Sequence, residues 1–281
     1  MLAGLILVKR STMALDLFSL KSSLVVGLFL FASLTACKDE VIPEEFPPFQ
    51  TDKKPLLVML SAVWSEYAGE SGIPFFYGAV TDSFDFEVVP MVAHSSTIGD
   101  PFYALAASQF FNLYGAENYP ELGLNATGFN YRTVDWLPAV RASKFDTTGG
   151  TPTEARPAAV MSIFKRIEGR DVKIKVRVRI EKAMANKQLN LGVYVTENKV
   201  AAYQEGIGST FNHMYVLRGA ATPGAWGVNL GNGSFAVGQV LTYEGSFPIN
   251  PFMNANNVFV NAVLFDMQNN QPVDVVNAHS R

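Results

Sequence analysis

The chain has a single cysteine, Cys37, and this limits the covalent chemistry available to the fold. With one thiol, the chain cannot form an internal disulfide, a cysteine-rich zinc site or a Cys-x-x-Cys redox pair. The folded state must therefore be stabilised by burial of apolar side chains. Hydrophobic residues make up 48% of the sequence, which is ample for a core.

The segment before Cys37 is organised like an export signal. Three basic residues lie within the first 21, and residues 24–34 form an uncharged apolar run. That run suits the core of a signal peptide and is shorter than the about 20 residues of a transmembrane helix. The small residues Thr35 and Ala36 come directly before the cysteine, as a lipoprotein signal peptidase requires. We therefore expect residues 1–36 to be a lipoprotein signal peptide and Cys37 to carry the lipid anchor.

The charge of the mature part excludes one class of partner. The leader takes three of the 22 basic and one of the 25 acidic residues with it, which leaves 19 against 24. This balance gives no reason to expect nucleic acid, which requires a basic face. The run Lys38-Asp39-Glu40 resembles the acidic export tag of Bacteroidetes surface lipoproteins. The expected location is thus the outer membrane, lipid-anchored and exposed at the surface.

Two changes in composition divide the mature chain. Residues 37–54 contain three prolines among charged residues and predict an extended tether. Residues 146–157 are rich in Gly, Pro and small polar residues and predict a linker. These breaks predict one domain over residues 55–145 and a second over residues 158–281.

The first domain has the pattern of an α/β unit. Leu56 to Val63 and Phe86 to Ala93 are apolar runs of strand length, as expected for strands buried on both faces. Phe102 to Leu113 has helical composition, and Gly115 lies where a helix C-cap is expected.

The second domain has the pattern of a β-sandwich. Residues 172–180 alternate apolar with basic side chains, which predicts a strand with one buried and one solvated face. The basic row along this strand could instead bind a partner with regular negative charge. Further strand-like runs follow, and Asn232-Gly233 predicts a hairpin turn between two of them.

Several runs together resemble the Omp28-related outer membrane lipoproteins of Bacteroidetes. They are residues 55–68 (PLLVMLSAVWSEYA), residues 213–218 (HMYVLR), residues 224–227 (GAWG), the strand at 258–265 and residues 272–276. The resemblance extends from about residue 54 to the end of the chain. It implies an α/β, thioredoxin-like domain followed by an all-β sandwich.

The chain departs from that family at the turn where many relatives carry Trp-Cys-x-x-Cys. Trp64 is present, but Ser65 and Ala68 occupy the two thiol positions. A serine hydroxyl does not replace a thiolate in disulfide exchange, so the resemblance implies a degenerate redox turn. Pro120 stands where the cis-proline of the thioredoxin fold is expected. An ordinary trans proline in a turn is the alternative.

Other catalytic patterns are absent from the sequence. The three histidines form no zinc-binding motif, and there is no Gly-x-Ser-x-Gly elbow or phosphate-binding loop. His94 ends a buried strand with Asp100 nearby, which predicts a hydrogen-bonded histidine, and His279 is expected in a mobile tail. We expect no enzyme activity, no cofactor and no metal.

The remaining expectation is binding at the cell envelope. The first domain is rich in aromatic residues, and an exposed cluster near Tyr67 and Tyr119 could form a groove for a peptide or a glycan. The membrane is contacted through the lipid, and the ligand is an unidentified protein or glycan. A redox-inactive protein that holds folding clients, and an accessory lipoprotein for glycan capture, are the alternatives.

Overall fold

The structure is a computed structural model of the chain. It describes residues 46–78, 80–81, 87–96, 99–129, 138, 142–143, 145–146, 153–154 and 156–281. The predicted signal peptide, Cys37 and the acidic tag lie outside the described residues. Residues from Phe46 to Arg281 form one compact unit.

The described residues are mostly β-strand. Two α-helices are present, α1 (Ile73–Gly78) and α2 (Leu105–Tyr114), with a π-helical turn at Ala68–Gly72 and a 3-10 turn at Ala255–Asn257. The strands are β1 (Leu56–Ser61), β2 (Val89–His94), β3 (Glu121–Leu124), β4 (Thr127–Phe129), β5 (Phe145–Asp146), β6 (Thr153–Glu154), β7 (Ala159–Glu168), β8 (Asp171–Ile180), β9 (Met184–Glu197), β10 (Val200–Gln204), β11 (Gly208–His213), β12 (Val216–Ala220), β13 (Val228–Phe235), β14 (Val240–Pro248), β15 (Val258–Gln268) and β16 (Gln271–Ser280).

One nine-stranded sheet runs through the molecule. Its order is β16-β15-β9-β12-β2-β1-β3-β4, and β13 also pairs with β9. A three-stranded sheet, β14-β8-β7, and two two-stranded sheets, β10-β11 and β5-β6, complete the described strands. The large sheet combines β1–β4 of the first predicted domain with strands of the second. The boundary at residues 146–157, of which only part is described, stays a prediction.

β1 and β2 are parallel neighbours and are buried along their full length. Leu56, Val58 and Leu60 of β1 belong to the apolar cluster under α2, whereas Leu57 and Met59 pack with α1 on the opposite face. A strand covered on both faces must be apolar at every position, which is why its sequence does not alternate. The prediction of strands buried on both faces is confirmed.

α2 covers one face of this region and is capped as predicted. Gly115 has φ 64°, and its N–H donates to the carbonyl of Phe111. Phe110, which is fully buried, contacts the rings of Tyr194 and Trp226 at centroid distances of 5.5 and 5.2 Å. The core beneath α2 is therefore built from segments far apart in the chain.

The three-stranded sheet packs on the opposite side of β9 and β15. Val172, Ile174, Val176, Val178 and Ile180 of β8 are all buried, and they share an apolar cluster with Leu189, Leu191 and Val193 of β9. The basic residues between them are half-buried. The predicted alternation of β8 is confirmed.

The basic face of β8 is covered in part by the start of the described chain. The guanidinium of Arg177 lies 4.2 Å from the ring centroid of Phe46, and that of Arg179 lies 4.4 Å from Phe49. Backbone pairing of Gln50 with Met161 holds this segment against β7. Residues 46–50 of the predicted tether thus lie along the sheet and stack on the basic row.

Two local predictions are wrong. Asn232 and Gly233 lie inside β13, where they pair with Gln188 and Lys187 of β9, because a bulge there accommodates the glycine without reversing the chain. His279 lies in β16 opposite Ala262 of β15 and is therefore part of the sheet.

Among the described residues, no helix combines the length and apolarity needed to cross a membrane.

Candidate functional site

The turn after β1 holds the predicted site residues Trp64, Ser65 and Ala68. The amide of Ala68 donates to Ser65 Oγ at 3.2 Å, and this hydroxyl donates to the Tyr119 carbonyl at 3.2 Å. Ala68 is fully buried, whereas Trp64 is 44% exposed and meets the ring of Tyr119 edge-on at 5.2 Å. Ser65 therefore caps the first helical turn and ties it to the segment before Pro120.

Pro120 lies directly beside this turn, and the Tyr119–Pro120 peptide bond is cis. A Cβ on Gly72 would lie 2.1 Å from Pro120 Cγ, so the proline ring packs against the bare backbone of the π-helical turn. The structure thus brings together the four positions that the sequence singled out: Trp64, Ser65, Ala68 and Pro120. No side chain among them is a thiol, an imidazole or a carboxylate.

The β10-β11 hairpin packs beneath the same turn. The side-chain amide of Gln204 donates to the carbonyls of Ala62 and Ser65 at 3.3 and 3.1 Å, and the amide of Glu205 donates to Val63. A Cβ on Gly69 would lie only 1.9 Å from the Glu205 carbonyl oxygen. The turn is consequently held from below by the hairpin and from the side by Pro120.

A buried hydrogen-bonded pair of a histidine and a carboxylate lies at the carboxyl end of β2. His94 Nδ1 is 3.0 Å from Asp100 Oδ2, and both side chains are fully buried. Asp100 also accepts hydrogen bonds from the amides of Val63 and Phe102, each at 3.0 Å. Burial raises the pKa of Asp100, but the hydrogen bond and charge of His94 and the two amides outweigh it, so the pKa is lowered overall. The predicted hydrogen bond of His94 is confirmed.

His213, at the end of β11, meets His94 in the folded chain. The two rings are 5.9 Å apart between centroids, and Phe102 contacts both, at 5.0 Å from His94 and 4.7 Å from His213. Burial is the main cause that lowers the pKa of His213 to about 4, and the charge of His94 adds to it. A hydrogen bond to the Tyr203 backbone and the charge of Asp100 act in the opposite direction.

Sequence reasoning missed this histidine pair because 119 positions separate its members. Four buried polar atoms here have no partner within the described residues: Ser61 Oγ, His94 Nε2, His213 Nε2 and Gln204 Oε1. Buried polar atoms usually have hydrogen-bond partners, so these four atoms form an unusual polar cluster beneath the turn. No group of three or more potential metal ligands occurs among the residues that the structure describes.

Exposed aromatic side chains surround the turn. Trp64, Tyr67 and Phe75 are 44%, 39% and 42% exposed, and Phe75 borders the shallow depression that Gly72 and Pro120 line. We call Trp64, Tyr67 and Phe75 the aromatic patch. Exposed aromatic side chains are frequent at interaction sites.

The low pKa of His213 predicts a pH-dependent stability. Between about pH 6.5, where an unfolded histidine titrates, and pH 4, the unfolded chain binds a proton that the folded chain does not. The free energy of unfolding should therefore fall as the pH drops, by about 2 kcal/mol from this group between pH 8 and pH 5.

Urea unfolding of wild type and His213→Gln at both pH values measures this effect. The variant should lose less stability than wild type on acidification. His279→Gln should reduce the pH dependence by a similar amount, because the pKa of His279 is also lowered to about 4, by burial and by the charges of Lys54 and Arg281. An identical pH dependence in wild type and His213→Gln would contradict the assignment.

Comparison with known proteins shows similarity in fold only. No protein-family model and no curated protein sequence matches the chain. HBP35 of Porphyromonas gingivalis matches with a TM-score of 0.65 at 16% identity, over 83% of this chain and 76% of that one. An Agrobacterium tumefaciens protein matches with a TM-score of 0.47 at 13% identity, covering 82% and 95%. A domain of the outer membrane lipoprotein Omp28 from P. gingivalis matches with a TM-score of 0.28 at 20% identity, covering 43% and 84%. The chain is thus similar in fold to HBP35.

Proposed function

We propose that this protein is a lipid-anchored, non-catalytic binding protein of the outer membrane. The apolar leader that ends in Thr-Ala-Cys supports the anchor at Cys37, and the acidic run after it supports export to the surface. A distant relation to the Omp28-related lipoproteins is part of this proposal and rests on the sequence runs quoted above.

The finer architecture that we infer is a thioredoxin-like layer joined to a β-sandwich. The parallel pair β1 and β2, the helical turn after β1 and the proline beside it support the thioredoxin-like part. The apolar cluster between β7, β8 and the strands β9 and β15 supports the sandwich. In this proposal both parts share the nine-stranded sheet.

The absence of catalysis is inferred from the site itself. Ser65 and Ala68 cannot exchange disulfides, and Ala68 is fully buried. His94 and His213 are both buried, with 0% and 1% exposure. Substrate cannot reach either imidazole without opening the fold, so neither is placed to act as a general base.

The aromatic patch is the observation that carries the binding function. Trp64 contacts Tyr119 and Phe75 lies beside Pro120, and at this segment a thioredoxin-like protein without thiols holds an extended apolar segment of another protein. On this basis we infer a client-holding role, with glycan capture as the alternative.

The anchor is tested by replacing the lipid-bearing residue. Cys37→Ser should abolish palmitate labelling, because serine lacks the thiol that receives the diacylglyceryl group. The variant should remain unprocessed or leave the membrane fraction, as measured by fractionation and mass spectrometry. Ser65→Cys with Cys37→Ser is a control that restores a thiol at another position. Undiminished labelling of Cys37→Ser would contradict the anchor.

The binding surface is tested with the non-lipidated chain from residue 38 and a carboxymethylated, permanently unfolded model protein as the probe. Trp64→Ala with Tyr67→Ala should weaken binding at least tenfold, because exposed aromatic anchors carry much of the energy of such contacts. Phe252→Ala is the control, since that ring is 90% exposed but lies outside the patch. Titration calorimetry measures the affinities. Equal affinities for all three proteins, or no saturable binding by wild type, would contradict the proposal.

A further inference from the structure

A second concave surface lies away from the aromatic patch, where the chain leading into β7 passes the ends of β8 and β9. It consists of two adjoining pockets of about 360 and 410 Å³ that share Arg156, Pro157 and Lys182. Cavities of this size accommodate small polar ligands. We call this surface the basic groove, and its charged lining residues are Lys53, Arg156, Arg179, Glu181, Lys182, Lys187, Asp266 and Asp274.

Positive charge exceeds negative charge in the basic groove. Five lining side chains are cationic and three are carboxylates, although the mature chain as a whole is acidic. A local excess of one sign in a concave surface concentrates the electrostatic field and attracts ions of the opposite sign. The excess is therefore a property of this surface and is opposite in sign to the charge of the whole chain.

The carboxylates of the groove are already engaged. Glu181 pairs with Arg179 at 2.5 Å, and Asp266 pairs with Lys187. Asp274 accepts a hydrogen bond from the amide of the following residue at 2.8 Å.

Three cations remain for a ligand. Lys53, Arg156 and Lys182 form no ion pair with any residue that the structure describes. Arg156 and Lys182 line both pockets, which places them where a ligand spanning the groove would lie.

The basic row of β8 does not offer a comparable site. Lys173 pairs with Asp171 at 3.0 Å and Lys175 with Glu244 at 3.4 Å. The guanidinium groups of Arg177 and Arg179 stack on Phe46 and Phe49. The cations of the β8 row are thus engaged within the chain, whereas Lys53, Arg156 and Lys182 of the groove have no ion-pair partner among the described residues.

We propose that the basic groove binds a phosphate-bearing ligand through Arg156, Lys182 and Lys53. The five cations and three carboxylates of the groove leave a net charge of +2. This charge matches a phosphate monoester, which carries about −1.5 to −2 at neutral pH. The planar guanidinium of Arg156 can engage two phosphate oxygens, while the lysines act as point charges. This site does not depend on the aromatic patch or on the client-holding role.

Inorganic pyrophosphate is the first probe, titrated calorimetrically into the non-lipidated chain from residue 38. The chain from residue 38 includes the whole compact unit that begins at Phe46, with its apolar clusters. It therefore retains the residues that line the groove. Arg156→Gln with Lys182→Gln should weaken binding at least tenfold. Lys173→Gln with Lys175→Gln is the control, because it also removes two positive charges, but from β8. It should change the affinity less than twofold. Circular dichroism checks that both double variants fold.

The source of the phosphate is resolved by a second set of probes. Vesicles of phosphatidylcholine with phosphatidic acid test a lipid headgroup, and vesicles of phosphatidylcholine alone are the control. Binding to the vesicles with phosphatidic acid only would assign the groove to the membrane surface. Binding of pyrophosphate without vesicle binding would assign it to a soluble phosphate-bearing ligand. Absence of saturable binding to either probe, or an equal loss in the two double variants, would overturn the proposal.

Discussion

The pairing of β2 with β12 joins the two halves of the described chain into one sheet. The amide of Val92 donates to the Tyr215 carbonyl at 2.8 Å, and Val216 follows in register. Tyr215 has φ 58°, a left-handed conformation that is uncommon for a residue with a Cβ. Its amide is held by Asn198 Oδ1 at 2.6 Å, which helps to maintain this backbone. The arrangement turns the chain directly from β11 into β12.

This connection determines what lies beneath the site. Because β11 ends immediately before Tyr215, the hairpin is held across the carboxyl ends of β1 and β2, with His213 next to His94. Gln204 on the same hairpin then reaches the backbone of the turn. The turn is therefore supported by a polar cluster contributed from the far half of the chain. Support of this kind keeps a binding surface rigid and lowers the entropy cost of binding.

Predictions from sequence succeeded where the signal is local. The uniform apolar run of β1, the alternation of β8 and the glycine that ends α2 each follow from a few neighbouring residues. The prediction of a hairpin turn at Asn232-Gly233 was wrong, because pairing with β9 overrides the local preference of that dipeptide. The proximity of His213 to His94 depends on the sheet topology, and the stacking of Phe46 on Arg177 depends on where the tether docks. Neither contact leaves a periodic pattern in the sequence.

We propose that the turn at residues 64–68 keeps a thioredoxin-type geometry and lacks its thiols. The most direct measurement is the redox behaviour of Ser65→Cys with Ala68→Cys in the chain from residue 38. Ser65 already directs its side chain to the amide of Ala68, so the two sulfurs should form a reversible intramolecular disulfide. The thiol at residue 65 should titrate below the usual range, because free helix N–H groups stabilise its thiolate. Ser65→Cys with Tyr67→Cys, which has the wrong spacing, should not form this disulfide. If mass spectrometry under non-reducing conditions found only intermolecular dimers of the first variant, the thioredoxin-type assignment would be contradicted.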